Sequence, residues 1–236
     1  QAVSGMIDAA KALKTPVTGG NVSFYNEGPS GAIYPTPVVG MVGFIKGAEK
    51  RHVKQFFSSP DDVIMMLGQT KDEIGASEYL KVVHGLVKGP VPEIDLSLEA
   101  RTQKTCREGI AAGLVKSAHD ISKGGFAVAL AECCMTGILH GSEPVGAYVD
   151  IQSDLRVDSI LFGETQSRII ISAAKNDAPK IKRLAARNRV ACSELGKTGG
   201  KRMVINVDWA SKKNSRKLSV DVREMIKLWE GTVNSH

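Results

Sequence analysis

The chain has 236 residues, of which 42% are apolar and 24% charged, and its formal net charge is +6. These proportions are typical of folded globular proteins and exclude disorder, a collagen-like repeat and a coiled coil as the main architecture. The sequence contains four cysteines without ligand-type spacing, no secretory leader and no apolar run long enough to cross a bilayer. We therefore expect a reduced, cytoplasmic protein that does not span a membrane.

The first part of the chain combines a helix with two strands. The spacing of the apolar residues predicts a helix that ends near Leu13, before Thr15-Pro16. Val17–Tyr25 then reads as a strand interrupted by two glycines, and Val38–Ile45 as a buried strand. Because the chain begins inside a helical pattern, we expect it to be a piece of a longer protein.

Strands and helices alternate along the rest of the chain, which favours an α/β or α+β layered fold over a sandwich or a helical bundle. A polar, charged stretch suggests a domain boundary, so we predict one domain in residues 1–55 and a second in residues 56–236. The predicted elements are strands Val63–Gly68, Lys116–Ile121, Val145–Ile151, Arg168–Ala173 and Met203–Val207, and helices Glu78–Gly85, Asp95–Leu114, Gly125–Met135, a helix capped by Asp177, and Val222–Trp229.

The most informative motif is Thr18–Glu27, in which two glycines precede Asn21 and Ser23. Glycines let a backbone approach a ligand closely and direct its amides at a phosphate. In an extended segment Asn21 and Ser23 project to the same side, where an amide oxygen suits Mg²⁺ and the hydroxyl could hold a second substrate. From the chemistry of these residues alone, a glycine bulge with capped turn residues is favoured over a ligand site.

Two later segments also carry polar residues at strand ends. Asp120 ends a strand just before a glycine pair and a helix N-terminus, so it could bind Mg²⁺ beside a phosphate or simply cap the helix. A hydrolase triad with Ser117 and His119 is not favoured, because no nucleophile elbow surrounds the serine. Glu164-Thr165-Gln166 precedes three consecutive isoleucines and could line a ligand crevice or form a turn.

Positive charge is concentrated late in the sequence. Residues 175–217 contain thirteen Lys and Arg against three acidic residues. A basic face could attract nucleic acid or phosphorylated ligands. Trp209 is the single aromatic residue in this run, so a solvated surface is favoured over nucleic-acid binding.

Taken together, five segments resemble those of the small, stand-alone phosphoribosylformylglycinamidine synthases of purine biosynthesis. They occur in that family's order and cover nearly the whole chain: Pro16–Glu27, Ile33–Gly40, Gly75–Tyr79, Ala118–Glu132 and Phe162–Arg168. The resemblance implies the aminoimidazole-ribonucleotide-synthetase-like fold, duplicated within one chain. Residues 1–55 would be the end of the second N-terminal-type domain, which carries an ATP site. Residues 56–236 would be the whole second C-terminal-type α/β domain.

The same resemblance implies roles for individual residues and for partners. Gly20 would contact ATP, Asn21 would hold Mg²⁺ and Ser23 would contact formylglycinamide ribonucleotide. Asp120 and Glu164-Thr165-Gln166 would belong to a second, pseudo-symmetric site, although Thr165 stands where the family commonly has serine. The implied partners are the missing N-terminal part of the same chain, a glutaminase subunit and a small bridging subunit.

The implied reaction is ATP-dependent amidine formation by a ligase, with ammonia supplied by the glutaminase. We expect no complete catalytic set in these residues and no turnover by the chain alone. We also expect an exposed apolar edge that favours self-association. The alternatives are a selenophosphate or thiamine-phosphate kinase-type enzyme of the same superfamily, and a non-catalytic module that binds phosphate or nucleic acid.

Overall fold

The computed structural model describes residues 1–22, 27–48, 52–209 and 214–233. The chain divides into two compact units, Gln1–Lys46 and Gly47–His236. The boundary predicted after residue 55 falls inside the second unit, and the assignment of residues 1–55 and 56–236 to two domain types stays a prediction. None of the described helices is long and apolar enough to cross a membrane.

The first unit contains one helix and one small hairpin. Helix α1 (Ala2–Leu13) ends at Lys14, which takes the left-handed conformation, and none of its residues is buried. Strands β1 (Glu27–Gly28) and β2 (Gly31–Ala32) pair in antiparallel fashion. The predicted helix is confirmed.

The two longer strands predicted for this unit are not present in its described residues. Residues 38–45 form no strand, and the exposed fractions of Val38 and Val42 are 95% and 104%. Residues 17–22 are likewise irregular, whereas residues 23–26 lie outside the described part of the chain. A strand is stable only beside a neighbouring strand, and the described residues of this unit offer only two two-residue strands. Apolar residues of Val38–Ile45 are thus exposed, but they do not form the sheet edge that was expected, and self-association stays a prediction.

The second unit is a layered α/β structure, as predicted. Its sheet has seven strands in the order β4-β6-β3-β7-β5-β8-β9, with β5 and β8 parallel and the other neighbours antiparallel. The strands are β3 (Val63–Leu67), β4 (Ser117–Asp120), β5 (Ala147–Gln152), β6 (Ile169–Ala173), β7 (Cys192–Thr198), β8 (Arg202–Trp209) and β9 (Asn214–Asp221). The helices are α2 (Glu78–His84), α3 (Leu96–Ala111), α4 (Gly125–Met135), followed by a 3₁₀ turn (Thr136–His140), then α5 (Val157–Phe162), α6 (Ala178–Arg187) and α7 (Val222–Val233).

Strand β3 shows why this unit has two apolar layers. All five of its residues are buried, because alternate side chains enter different cores. Ile64 and Met66 join a cluster with residues of α4 and α7, whereas Val63, Met65 and Leu67 join a second cluster with residues of α3 and α6. Helices therefore cover both faces of the sheet.

The loops that carry most of the predicted polar residues lie at one edge of the sheet, where the strands end or begin. Strands β3, β4, β5 and β8 run in the same direction, and β6 and β7 run in the opposite one. The C-terminal ends of β3, β4 and β5 thus lie at the same edge as the starts of β6 and β7. We refer to this side as the loop edge.

Candidate functional site

The N-terminal motif lies in an irregular, exposed segment of the first unit. Gly19, Gly20 and Asn21 are exposed, and a side chain added at either glycine would meet no atom within 4 Å. Ser23 lies outside the described residues. The roles predicted for Gly20, Asn21 and Ser23 therefore stay predictions.

At the loop edge, Glu164 joins the starts of two helices. Its Oε1 accepts hydrogen bonds from the backbone N–H groups of Gly124 and Glu78, both at 2.9 Å. Gly124 precedes α4, and Glu78 is the first residue of α2. A carboxylate is favoured at a helix N-terminus because free N–H groups and the helix dipole attract negative charge. In this structure Glu164 therefore connects two helices to the loop before β6.

The two residues after Glu164 lie in different surroundings. Thr165 is buried, and its hydroxyl accepts a hydrogen bond from the backbone N–H of Lys71 at 3.3 Å. Gln166 is exposed, and its side-chain amide donates to the carbonyl of Glu164 at 2.9 Å. Of the predicted trio, Gln166 is exposed, Glu164 is half-buried and Thr165 is buried.

Arg168 holds this loop in place, and the sequence analysis did not single it out. It is 1% exposed, and its guanidinium donates to the carbonyl oxygens of Thr165 and Gly163 and to the hydroxyl of Thr70 at 2.6–3.0 Å. Burial lowers the pKa of Arg168 to about 10, against the raising influence of the Glu73 and Glu164 carboxylates. An arginine directly before a run of isoleucines is the sequence signal that could have drawn attention to it.

The start of α4 packs against the same loop without space for a side chain. Gly125 has a φ of +72°, and a Cβ built on it would lie 2.6 Å from the carbonyl carbon of Phe162. Only glycine combines this backbone conformation with so close an approach. Helix α4 is consequently in direct backbone contact with the end of α5, where the loop before β6 begins.

Asp120 ends β4 and is paired with a histidine. His119 Nε2 lies 2.9 Å from Glu132 Oε2, and its Nδ1 lies 3.7 Å from Asp120 Oδ1. The Asp120 carboxylate, and to a smaller extent the Glu132 carboxylate, raises the pKa of His119 to about 9. In turn, the protonated imidazole lowers the pKa of Asp120. The Asp120 side chain remains 75% exposed, so it is open to a ligand.

The structure rules out the hydrolase interpretation. Ser117 is buried, and its hydroxyl shares a 2.6 Å hydrogen bond with Ser172 on the neighbouring strand. The described residues also contain no group of three or more His, Cys, Asp or Glu side chains that could hold a metal ion. A metal at Asn21 or Asp120 would thus need oxygen ligands from substrate, water or another part of the protein.

The basic run is distributed over several elements and partly neutralised. Lys180 pairs with Asp177 at 2.7 Å and Lys182 with Glu194 at 2.8 Å. Arg187 lies 3.2 Å from Glu108. These exposed pairs are typical of a solvated surface.

Comparison with known proteins decides the family. Residues 59–208, more than half of the chain, match the family described as "AIR synthase related protein, C-terminal domain". The chain belongs to this family. The match lies within the layered second unit and includes Asp120, Glu164 and Arg168.

Two curated relatives extend the similarity over nearly the whole chain. A protein of Moorella thermoacetica is 47% identical over 234 residues, and one of Alkaliphilus metalliredigens is 37% identical over 233 residues. Both are named phosphoribosylformylglycinamidine synthase subunit PurL, and the matches cover 99% of this chain. The resemblance seen in the sequence is confirmed. The chain spans only 30% of the length of either relative.

Solved structures show the same fold. A Thermotoga maritima PurL complexed with FGAR matches with a TM-score of 0.58 and 21% identity, over 72% of this chain and 29% of that one. The T. maritima PurL complexed with ATP matches with a TM-score of 0.55 and 20% identity, over 73% of this chain and 27% of that one.

Proposed function

We propose that this chain is part of an ATP-dependent phosphoribosylformylglycinamidine synthase, a ligase of purine biosynthesis. The observation that carries the proposal is the 47% identity to a curated synthase subunit over 99% of the chain, including the Thr18–Glu27 motif. The complete enzyme would convert formylglycinamide ribonucleotide, ATP and ammonia into formylglycinamidine ribonucleotide, ADP and phosphate. The T. maritima relatives complexed with ATP and with FGAR support these ligand classes.

In the proposed reaction, the residues of this chain would bind the substrates and the metal ion rather than react themselves. ATP would phosphorylate the amide oxygen of the substrate, and ammonia would then displace phosphate from the resulting iminophosphate. When bound, Mg²⁺ would neutralise charge on the transferred phosphoryl group. The backbone at Gly20 would contact ATP, the Asn21 amide oxygen would ligate Mg²⁺, and the Ser23 hydroxyl would hold the ribonucleotide. The exposure of Gly20 and Asn21 is compatible with these roles.

The other assignments follow from the same resemblance. Residues 1–55 would complete an ATP-site domain, and residues 56–236 would form the second C-terminal-type domain. Of the residues that would form the pseudo-symmetric second site, Asp120 and Gln166 are exposed, whereas Glu164 and Thr165 make hydrogen bonds within the protein. The remaining part of the synthase, a glutaminase subunit and a small bridging subunit are the proposed partners, in a cytoplasmic complex. A T. maritima structure described as PurLQS supports such an assembly.

The proposal is tested by measuring ammonia-dependent ADP release with Mg-ATP and formylglycinamide ribonucleotide. We expect no turnover by the 236 residues alone and turnover when they replace the corresponding segment of a full-length relative. Asn21→Ala in this chimaera should lower activity about a hundredfold or more, as is typical when a group that stabilises developing charge is removed. Robust activity of the isolated chain, or an unaffected Asn21→Ala chimaera, would contradict the assigned site.

The same assay separates the rival interpretations. A selenophosphate or thiamine-phosphate kinase-type enzyme would consume ATP with selenide or thiamine phosphate rather than with the ribonucleotide. A nucleic-acid-binding module would instead show salt-sensitive DNA or RNA binding that Mg-ATP does not alter.

A further inference from the structure

The loop edge carries an exposed apolar surface on helix α2 and the residues that follow it. Val82, Val87 and Val91 are 76%, 79% and 72% exposed, and Val83 and Leu86 are exposed as well. We call these five residues the α2 patch. Single exposed apolar side chains are common on folded proteins, whereas a cluster of them marks an interaction site. The α2 patch places five within ten positions of the chain.

The segment from Gly75 to Pro90 is a closed loop that presents most of the α2 patch. Its ends touch, because the backbone N–H of Ala76 donates to the carbonyl of Lys88 at 3.0 Å. A Cβ added to Gly75 would lie only 2.1 Å from the carbonyl oxygen of Pro90. Compact loops whose ends meet in this way are frequently functional. The apolar residues are therefore held by an ordered part of the backbone.

The first turn of α2 attaches the helix to the rest of the second unit. The Ser77 hydroxyl caps it by accepting a hydrogen bond from the backbone N–H of Leu80 at 3.3 Å. Tyr79 stacks on Phe162, with ring centroids 4.8 Å apart and an angle of 4° between the rings. The Glu164 carboxylate adds its hydrogen bond to the start of the helix. These contacts use the first turn, and the described part of the chain leaves the apolar residues after it exposed.

The charge within this segment is positive. The sequence from Tyr79 to Pro92 contains Lys81 and Lys88 and no acidic residue. The Lys81 side chain is 61% exposed and lies 3.5 Å from Glu78, and Lys88 is exposed. A surface that covers the α2 patch should therefore combine an apolar centre with acidic residues at its border. A second copy of the chain that used the same patch would bring like charges together, which disfavours self-pairing.

The length of the relatives indicates what covers the α2 patch. The two curated relatives match 99% of this chain, yet the chain spans only 30% of their length. More than two thirds of such a protein is therefore polypeptide outside these residues. Domains of one polypeptide commonly bury surface against each other.

We infer that the α2 patch is the docking surface for an apolar, acid-bordered face in the part of the synthase that lies outside these 236 residues. The inference rests on the proposed function, which makes the chain part of a longer synthase, and it gives that partner a location. Because the first residue of α2 is hydrogen-bonded to Glu164, the docked face would lie beside the loop that carries Gln166.

Thiol labelling tests the inference in two proteins, the 236-residue chain and the chimaera in which it replaces the corresponding segment of a full-length relative. Val82→Cys and Val87→Cys place a thiol in the α2 patch, and Ala186→Cys, at an exposed position of α6, is the matched control. Peptide mass spectrometry separates these sites from the four native cysteines. We expect labelling at positions 82 and 87 to be at least about tenfold slower in the chimaera, and labelling at position 186 to be unchanged.

Three outcomes would overturn the inference. The first is labelling of the α2 patch at equal rates in the two proteins. The second is equally slow labelling at position 186 of the chimaera, because the protection would not be specific to the patch. The third is labelling of the isolated chain that slows as its concentration rises, which would assign the patch to a second copy.

ADP release by the same chimaera keeps this test separate from that of the proposed function. An active chimaera whose α2 patch labels quickly would refute the docking surface alone. An inactive chimaera whose patch labels slowly would support the docking surface and count against the proposed activity.

Charge reversal tests the acidic border of the docked face. With Lys81→Glu/Lys88→Glu, the ratio of the labelling rate at position 82 in the chimaera to that in the isolated chain should rise at least about threefold, because like charges then meet. Taking the ratio cancels the direct effect of the new charges on the thiol. Lys175→Glu/Arg183→Glu makes the same change at exposed residues elsewhere and should leave the ratio unchanged. An unchanged ratio with the first pair, or an equal rise with both, would refute the acidic border. Circular dichroism verifies that each variant is folded.

Discussion

The two units of the chain contain comparable apolar stretches but bury them to different extents. In the second unit, Ile170 and Ile171 of β6 are 1% and 0% exposed, between two neighbouring strands and two layers of helices. In the first unit, Val42 and Phe44 are 104% and 86% exposed. Both stretches have the composition of a buried strand. The difference shows that an apolar run becomes a strand only where neighbouring strands and a covering layer exist.

The largest expected effect comes from truncating matched isoleucines in the two units. Ile171→Ala should lower the free energy of unfolding by about 2–5 kcal/mol, because it leaves a cavity in a packed core. Ile45→Ala should change it by less than about 0.5 kcal/mol, because Ile45 is 59% exposed. Urea denaturation followed by circular dichroism measures both values. Similar losses would mean that residues 38–45 are packed in solution.

Smaller changes in stability distinguish a residue that holds the fold together from a residue of the proposed ligand site. Glu164→Ala should lower the free energy of unfolding by about 1–3 kcal/mol, because the backbone N–H groups of Gly124 and Glu78 lose their acceptor. Asn21→Ala should leave stability unchanged within about 0.5 kcal/mol, since Asn21 is exposed.

Thermal and urea unfolding of these two variants provide the comparison. Gln166→Ala, next to Glu164 and exposed, is the control and should behave like Asn21→Ala. A destabilised Asn21→Ala variant would show that the first motif has a structural role.

The smallest expected effect depends on pH. The pKa of His119 is raised from 6.5 to about 9 by Asp120 and Glu132, so the protonated form is favoured in the folded state. The stability from this interaction is complete below pH 6.5 and is lost as the pH rises through about 9. Because Asp120 is exposed and screened by solvent, we expect a loss of only about 1 kcal/mol.

Urea midpoints measured at several pH values across this window give the test. His119→Gln should remove that part of the pH dependence while retaining a hydrogen-bond donor. An identical pH profile in the variant would contradict the role of His119.

The sequence predicts those parts of the fold whose pattern is local. Strands β3 and β6 follow from their apolar runs, and α3 follows from Asp95, whose carboxylate accepts hydrogen bonds from Ser97 and Leu98. Strand β7 was missed because most of its side chains are not buried, and β9 because its basic residues read as surface. Both strands are defined by their neighbours in the sheet rather than by their own composition.

The candidate site likewise has one part that the sequence predicts and another part that it does not. The Thr18–Glu27 motif is recognisable from the sequence because its residue types and order are specific. The contacts of Glu164 with Gly124 and Glu78, and that of Arg168 with Thr70, could not be predicted, since they join residues 40 to 98 positions apart. A hydrogen-bond partner so distant in sequence leaves no local pattern.

The glycine at the start of α4 has a consequence for how mutations spread through the loop edge. Because the backbone of Gly125 touches that of Phe162, even a methyl group there would force the start of α4 and the end of α5 apart. The separation would stretch the hydrogen bond from Gly124 to Glu164, a residue of the loop that Arg168 holds through Gly163 and Thr165. A single added carbon atom would therefore disturb α4, the end of α5 and the loop before β6 together.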